Sequence, residues 1–322
     1  MKFFKGLFGR ESILFIVIIV FMIIMSFASP YYLTWRNLEA VIMGLTVNGI
    51  VVIGMVILLI SGGLDLSVGS TLAFSGVVTA LLLNKGVPVV PAIIGGLGIA
   101  ALIGLINGAL VSFLSLNPFI TTLGMMMAVR GAVLVVAKGR AIINLPPEFL
   151  AIGQGRFLGL QIPIYILLFL IVVGDLLLRN ARFFRQVYYV GGNENSAVLN
   201  GINVKLVKII SYIIVACLAG LAGILLTARF GSASVTVGQG VEMGVITAAI
   251  IGGASLKGGE GSVLGAALGA IFMGILSNSL NLLGVDVYWQ NLITGGTLVL
   301  AIVLDQLNEK RKTESKRLRI MA

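Results

Sequence analysis

The sequence predicts an all-α polytopic membrane protein of about 10 transmembrane helices, N-in and C-in, with a short inner helix between spans six and seven. Three observations predict it. Hydrophobic residues fill 58% of the 322 positions and charged residues only 11%, a balance that no soluble domain of this length keeps in water. Apolar runs of spanning length recur along the whole chain, broken by Pro, Gly, Asn or charged clusters. Lysine and arginine sort by side once those runs are laid across a bilayer. The forty-two glycines belong to the same class, because glycine lets membrane helices approach closely.

The ten runs are 12 to 30, 40 to 61, 66 to 84, 89 to 114, 118 to 137, 162 to 179, 207 to 228, 242 to 255, 261 to 282 and 288 to 305. Lys2, Lys5 and Arg10 precede the first, which lacks a small-residue cleavage site and reads as a retained span. Gly62 and Gly63 permit a sharp bend after the second, and Asp65 and Ser67 are N-cap residues for the third. Asn117 followed by Pro118 is a start signal for the fifth. Asp175 and Arg179, four residues apart, pair on one face of the sixth. The eighth covers only about 21 Å at about 1.5 Å per residue, against a hydrocarbon core of about 30 Å. It must be broken, or continued by the glycine-rich loop that follows.

With both termini inside, the inner segments carry fifteen Lys and Arg residues and the outer segments six, leaving Arg130 within span five to snorkel outward or find a partner. The net charge of +10 is therefore a membrane-side signal and not a nucleic-acid footprint. The basic tail over 306–322, with Lys310 to Arg319, reads as a cytoplasmic end able to meet lipid headgroups. The whole of 1–322 reads as one membrane domain.

Histidine is absent, which removes His bases, His metal ligands and His proton relays. Cys217 stands alone in an apolar run, so no internal disulfide forms and packing is its role. No phosphate-binding Gly-x-x-x-x-Gly-Lys-Ser/Thr occurs, and the glycine loop at 252 to 262 precedes a span. ATP is not expected on this chain, nor a metal, a cofactor or a catalytic residue.

Two connecting segments exceed turn length. The outer one, 138 to 161, with Pro146 and Pro147, reads as irregular and as a docking surface for an external partner. The inner one, 180 to 206, contains a short exposed helix: Asn193 caps it, Glu194 lies in its first turn, and Gly201 ends it in a left-handed cap. A helix of about seven residues needs a partner surface to persist, so it is either a surface helix or a docking element. The loop Ser61 to Ser70 is likewise open to two readings, a helix cap at Asp65 or a polar site facing a translocation path. Its Gly-Gly-x-polar-Leu-x-x-Gly pattern recurs at Gly252 to Gly259. Asn48, Asn107, Thr121, Thr122, Asn278 and Asn281 either bond helix to helix or line a solute path.

Ser61-Gly-Gly-Leu-Asp-Leu-Ser-Val-Gly-Ser70, Asn117-Pro-Phe-Ile-Thr-Thr-Leu-Gly124, Val190-Gly-Gly-Asn-Glu to Asn200-Gly-Ile-Asn203, Ile251-Gly-Gly-Ala-Ser-Leu-Lys-Gly-Gly-Glu-Gly-Ser262 and Asn281-Leu-Leu-Gly-Val285 together resemble the ribose-type branch of bacterial ABC-transporter permeases, over about residues 30 to 305. That branch includes permeases for ribose, xylose, galactose, arabinose and autoinducer. The resemblance implies an inner-membrane importer subunit whose 190–203 loop enters a groove on a separate cytoplasmic ATPase, the chain that binds ATP and Mg. The coupling residues would be Gly191, Gly192, Asn193, Glu194, Ala197, Gly201 and Ile202. Path candidates are Asn48, Asp65, Ser67, Asn107, Phe119, Thr121, Asn278 and Asn281. Implied partners are the ATPase, a periplasmic or lipid-anchored solute-binding protein, a second identical or paralogous permease, and a small sugar-like solute, with ribose as default. Two departures, at Glu242-Met243-Gly244-Val245 and Asn200-Gly201-Ile202, leave the sugar unnamed. The alternative is an ion-coupled transporter acting alone, for which only Asp65 and Glu242 could serve as ion-binding acids.

Overall fold

Thirteen helices and one two-residue strand pair follow one another in the computed structural model, which describes residues 10–321 and the side chains of residues 11 to 307. Lys2, Lys5 and the side chains of the basic tail lie outside that description. The helices are α1 (Arg10–Ala28), α2 (Trp35–Ile60), α3 (Val68–Asn84), α4 (Val89–Phe113), α5 (Pro118–Ala137), α6 (Pro147–Gln154), α7 (Ile162–Asn180), α8 (Arg182–Gly192), α9 (Glu194–Leu199), α10 (Val204–Phe230), α11 (Val241–Ile251), α12 (Val263–Leu282) and α13 (Val287–Met321). Between α6 and α7, β1 (Arg156–Phe157) and β2 (Leu160–Gln161) pair antiparallel. Among the described residues eight helices are long and apolar enough to cross a membrane, so the protein is an all-α polytopic membrane protein.

Two of the ten apolar runs give shorter helices. The third, expected to span from 66, gives an α3 of 17 residues, because Leu64 to Ser67 stay non-helical and are held by side chains of other helices. The eighth, expected short, is the 11-residue α11. The cap expected at Ser67 also differs: its hydroxyl is drawn to Asp65 and makes no capping bond to α3. Asn117 behaves as expected, its Oδ1 accepting from the amides of Phe119 and Ile120 at 2.9 and 3.4 Å.

Both long connections are more ordered than a reading of their turn residues suggests. In 138 to 161, Pro146 and Pro147 start a helix where a missing N–H costs nothing, and the fully buried Phe149 fastens α6 to the end of α10. Gln154 Nε2 donates to Arg229 O at 3.0 Å, and Arg156 pairs with Glu39 at the start of α2. In 180 to 206 a second helix, α8, precedes α9. Ala181 is extended and breaks the chain from α7, and Val187 and Val190 turn inward while Arg182 and Arg185 line the outer face.

Small residues set the spacing at the centre, as they do where apolar burial gives no preference for protein over lipid. Gly96, Ala100, Gly104 and Gly108 recur every four residues on α4, forming one stripe against α3 and α10. A Cβ on Gly104 would lie 2.6 Å from Tyr212 O, and one on Gly54 of α2 2.7 Å from the Cα of Val215. α10 is the central post, with α2, α3 and α4 around it. α1 and α13 lie at the rim, with large apolar side chains such as Phe15, Phe27, Trp289 and Leu300 exposed.

Candidate functional site

Three loops far apart in sequence meet at the end of the bundle that carries α8 and α9. Gly62, at φ +80°, follows α2; Gly191 closes α8; Gly258, at φ +89°, lies between α11 and α12. A Cβ on Gly258 would lie 2.8 Å from Gly191 O and 3.0 Å from Gly62 N. On Gly191 it would overlap the Ile60 carbonyl, leaving no room for any side chain. Gly259 N donates to that same Ile60 oxygen at 2.8 Å, and Tyr188 of α8 donates to Gly261 O at 2.7 Å. α8 is therefore in direct contact with the end of α2 and with the loop that joins α11 to α12. Burial raises the Tyr188 hydroxyl's pKa, with the Asp175 charge adding to it.

α9 hangs from this junction. Asn193 Oδ1 accepts from Ser196 N at 2.9 Å, Gly201 sits at φ +76°, and Glu194 is ion-paired with Lys208 of α10. Ala197 is buried, Ile202 is half-buried, and Val198 and Leu199 are exposed, so α9 presents an apolar tip. Gly192 borders the same groove as Arg185, Asn193 and Ser196.

A second cluster is sealed inside. Asp65 Oδ1 accepts from Ser67 N at 2.7 Å and Ser67 Oγ at 2.6 Å, and Asn107 Nδ2 of α4 donates to Ser67 Oγ at 2.9 Å. Tyr212 and Thr122 both donate to Leu64 O, at 3.1 and 3.4 Å. Tyr212 lies eight residues into α10, or about 12 Å, so 61 to 67 enters the bundle as unwound chain. Such backbone persists at depth only when protein satisfies it, and these side chains do so. A matching segment enters from the other end, where Arg130 of α5 donates to Val235 O at 3.0 Å and Val237 O at 2.7 Å. This second unwound segment meets the first turn of α3 where Gly69 and Gly238 pack backbone to backbone, so α3 and α11 each follow directly on unwound chain.

A third feature is a cleft of about 450 Å³ between α2, α11, α12 and α13. Asn48, Asn278 and Asn281 line it, with Gly44 and Gly244 opening directly onto empty space. Asn278 exchanges hydrogen bonds with Asn37 at 2.8 and 3.2 Å, and Asn281 accepts from Gln290 at 2.9 Å. Its chemistry is that of amide side chains on a wall of small residues, suited to a neutral polyhydroxylated solute.

The sequence-predicted path residues thus fall in three places. Asn48, Asn278 and Asn281 share the cleft; Asp65, Ser67 and Asn107 share the sealed cluster at 0% exposure; Phe119 and Thr121 lie on the first turns of α5, where Thr121 bonds Asn117 O. Sequence reading gave no role to Tyr188, Tyr212 or Asn37. A lone Tyr or Asn in an apolar run was the available signal, and nothing local names its partner. No group of three or more Asp, Glu or Cys residues able to hold a metal occurs among the described residues.

Residues 37–302 match the family described as the permease component of the branched-chain amino acid transport system. The D-allose transport system permease protein of Escherichia coli strain K12 is 36% identical over 297 residues, covering 92% of this chain and 91% of that protein. The ribose import permease protein of Bacillus subtilis strain 168 is 37% identical over 294 residues, 91% of each chain. The L-arabinose ABC transporter permease protein of Azospirillum brasilense is 35% identical over 310 residues, 96% of this chain and 91% of that one. No solved structure matches.

Proposed function

The chain belongs to the family of branched-chain amino acid transport system permease components, and from that premise we propose that it is the permease subunit of an ABC importer for a monosaccharide, with ribose as the default cargo. It is a multi-pass inner-membrane transport subunit, not an enzyme. Its partners would be one or two separate ATPase chains carrying ATP and Mg, an external solute-binding protein, and a second permease, identical or paralogous.

The observation that carries this reading is the glycine junction. The Gly191–Ile202 segment stands out from the bundle end, with the residues that would engage the ATPase: Asn193 and Glu194 on the capped turn, Ala197 and Ile202 on the inner face. When the ATPases close on ATP, α9 and α8 shift together. Through Gly191, Gly62 and Gly258 the shift reaches α2, α11 and α12, three of the four helices lining the Asn48–Asn278–Asn281 cleft. The half-helices α3 and α11 supply the break that lets the cleft change sides.

The charge asymmetry supports an N-in, C-in arrangement with ten membrane-inserted segments, eight of them spans and two of them α3 and α11. The α8–α9 end then faces the cytoplasm and the α6 end faces the binding protein, to which the exposed Phe157 and Leu158 of the hairpin turn would dock. Residues 1–322 act as one permease domain. The test is reconstitution of the full transporter. Glu194→Lys or deletion within 193 to 201 abolishes uptake and transport-coupled ATP hydrolysis while the chain still inserts. Normal uptake in either variant refutes the coupling role, and uptake by the chain alone, driven by an ion gradient, refutes the importer.

A further inference from the structure

No charged side chain lines the cleft between α2, α11, α12 and α13; its polar lining is the amides of Asn48, Asn278 and Asn281 and the hydroxyls of Ser277 and Thr294. Hydroxyls both donate and accept. An amide oxygen only accepts and its nitrogen only donates, so the way each amide is turned decides what a solute meets. For Asn278 and Asn281 that choice is made by residues outside the cleft.

Gln290, on the first turn of α13, does not line the cleft. Its Nε2 donates to Val285 O and to Asn281 Oδ1, both at 2.9 Å. A backbone carbonyl can only accept, so the Gln290 atom against Val285 is the nitrogen, and the Asn281 atom against that nitrogen is the oxygen. Asn37, on the first turn of α2 and likewise outside the cleft, repeats the arrangement. Its Nδ2 donates to Tyr32 O at 2.8 Å, which fixes the sense of the amide, and the same nitrogen donates to Asn278 Oδ1 at 3.2 Å. Asn278 Nδ2 donates back to Asn37 Oδ1 at 2.8 Å. Two backbone carbonyls, one before α2 and one before α13, thus set the polarity of two cleft amides through one intermediary each.

The resulting wall is biased toward donors. Asn281 is exposed, its oxygen is engaged by Gln290, and its nitrogen bonds nothing among the described residues. Asn278 keeps one N–H beyond the one given to Asn37. The lone pairs of hydroxyl and ring oxygens suit such a wall, whereas an ammonium group, which also only donates, does not. Taking the cleft as the solute's path, on which the assignment rests, we propose that Asn37 and Gln290 are positioning residues that hold Asn278 and Asn281 with their N–H groups toward the oxygens of the solute.

The experiment uses the assembled transporter in proteoliposomes, with its ATPase and binding protein, and saturating ribose, L-arabinose and D-allose in turn. It reads sugar imported per ATP hydrolysed. A delivered sugar that the wall does not hold escapes outward after ATP is spent, so this ratio falls, whereas general damage lowers both rates together. Gln290→Glu keeps the size of the side chain but demands a donor from Asn281, turning the Asn281 oxygen toward the cleft. Gln290→Lys changes the size but still donates. The ratio is expected to fall about fivefold in Gln290→Glu, the weight of one hydrogen bond, and to stay within about twofold of the wild type in Gln290→Lys. Asn37→Leu, which frees Asn278, lowers it in the same way. An unchanged ratio in Gln290→Glu, or a larger loss in Gln290→Lys than in Gln290→Glu, as a space-filling role would give, overturns the positioning role and leaves the importer standing. No ATP-driven uptake of any of the three sugars by the wild type overturns the importer and the positioning role together.

Discussion

Gly191 occupies a point where the backbones of α2 and the Gly258–Gly259 loop leave no space for a methyl group. Gly191→Ala is therefore expected to cost about 1–3 kcal/mol by overpacking and to lower the thermal midpoint of the purified chain. At Gly192, its neighbour, a methyl group would meet no atom within 4 Å, and Gly192→Ala leaves that midpoint unchanged in the same melt. Asp65 is a different kind of residue, a fully buried carboxyl whose oxygens bind Ser67 and Asn107. Asp65→Ala orphans these donors and destabilises by about 2–3 kcal/mol, while Asp65→Asn retains part of the network and loses less; thermal unfolding of both variants checks the order. The sequence announced Asp65 and the glycines by their type. It could not announce that Gly62, Gly191 and Gly258 touch one another, because a missing side chain carries no label for the partner it admits.

At the scale of elements, the long helices were legible because each depends on local patterning. Asn117 and Pro118 mark the start of α5, and the run 118 to 137 is the helix observed. The short elements were less so. α8 alternates Phe183, Phe184, Val187 and Val190 with Arg182, Arg185 and Gln186, a clear amphipathic face, but it lies among charged residues that also read as a loop. α6 begins on two prolines, which read as irregular chain until Phe149 finds its pocket on α10. The unwound entries at 61 to 67 and 231 to 240 depend on Tyr212, Asn107 and Arg130 from other helices, so no window of sequence contains both halves of the reason. The Tyr188 hydrogen bond to Gly261 belongs to this scale, since it ties α8 to the entry of α12. Tyr188→Phe is expected to cost about 1 kcal/mol of stability yet reduce ATP-coupled uptake several-fold, measured in proteoliposomes at equal protein incorporation.

At the scale of the molecule, α10 is the central helix, packed against α2, α3 and α4, and the end of α2 carries the junction while its middle lines the cleft. Composition was enough to say that this object lives in a membrane, and charge asymmetry was enough to suggest its orientation. Its cleft was legible only in part: Asn48, Asn278 and Asn281 were candidates, but their convergence is a property of α2 packing against α12. Asn48→Leu narrows and dries that wall without touching the sealed cluster. The expected result is a loss of sugar uptake of at least about tenfold, with ATP hydrolysis by the assembled complex retained.

The most direct test is uptake of radiolabelled ribose into proteoliposomes holding this chain with its ATPase and binding protein, measured with and without ATP, for the wild type and for Glu194→Lys. Uptake that requires ATP and disappears in Glu194→Lys is the expected result. Uptake that proceeds without ATP, or equally in the variant, contradicts a permease worked through α9.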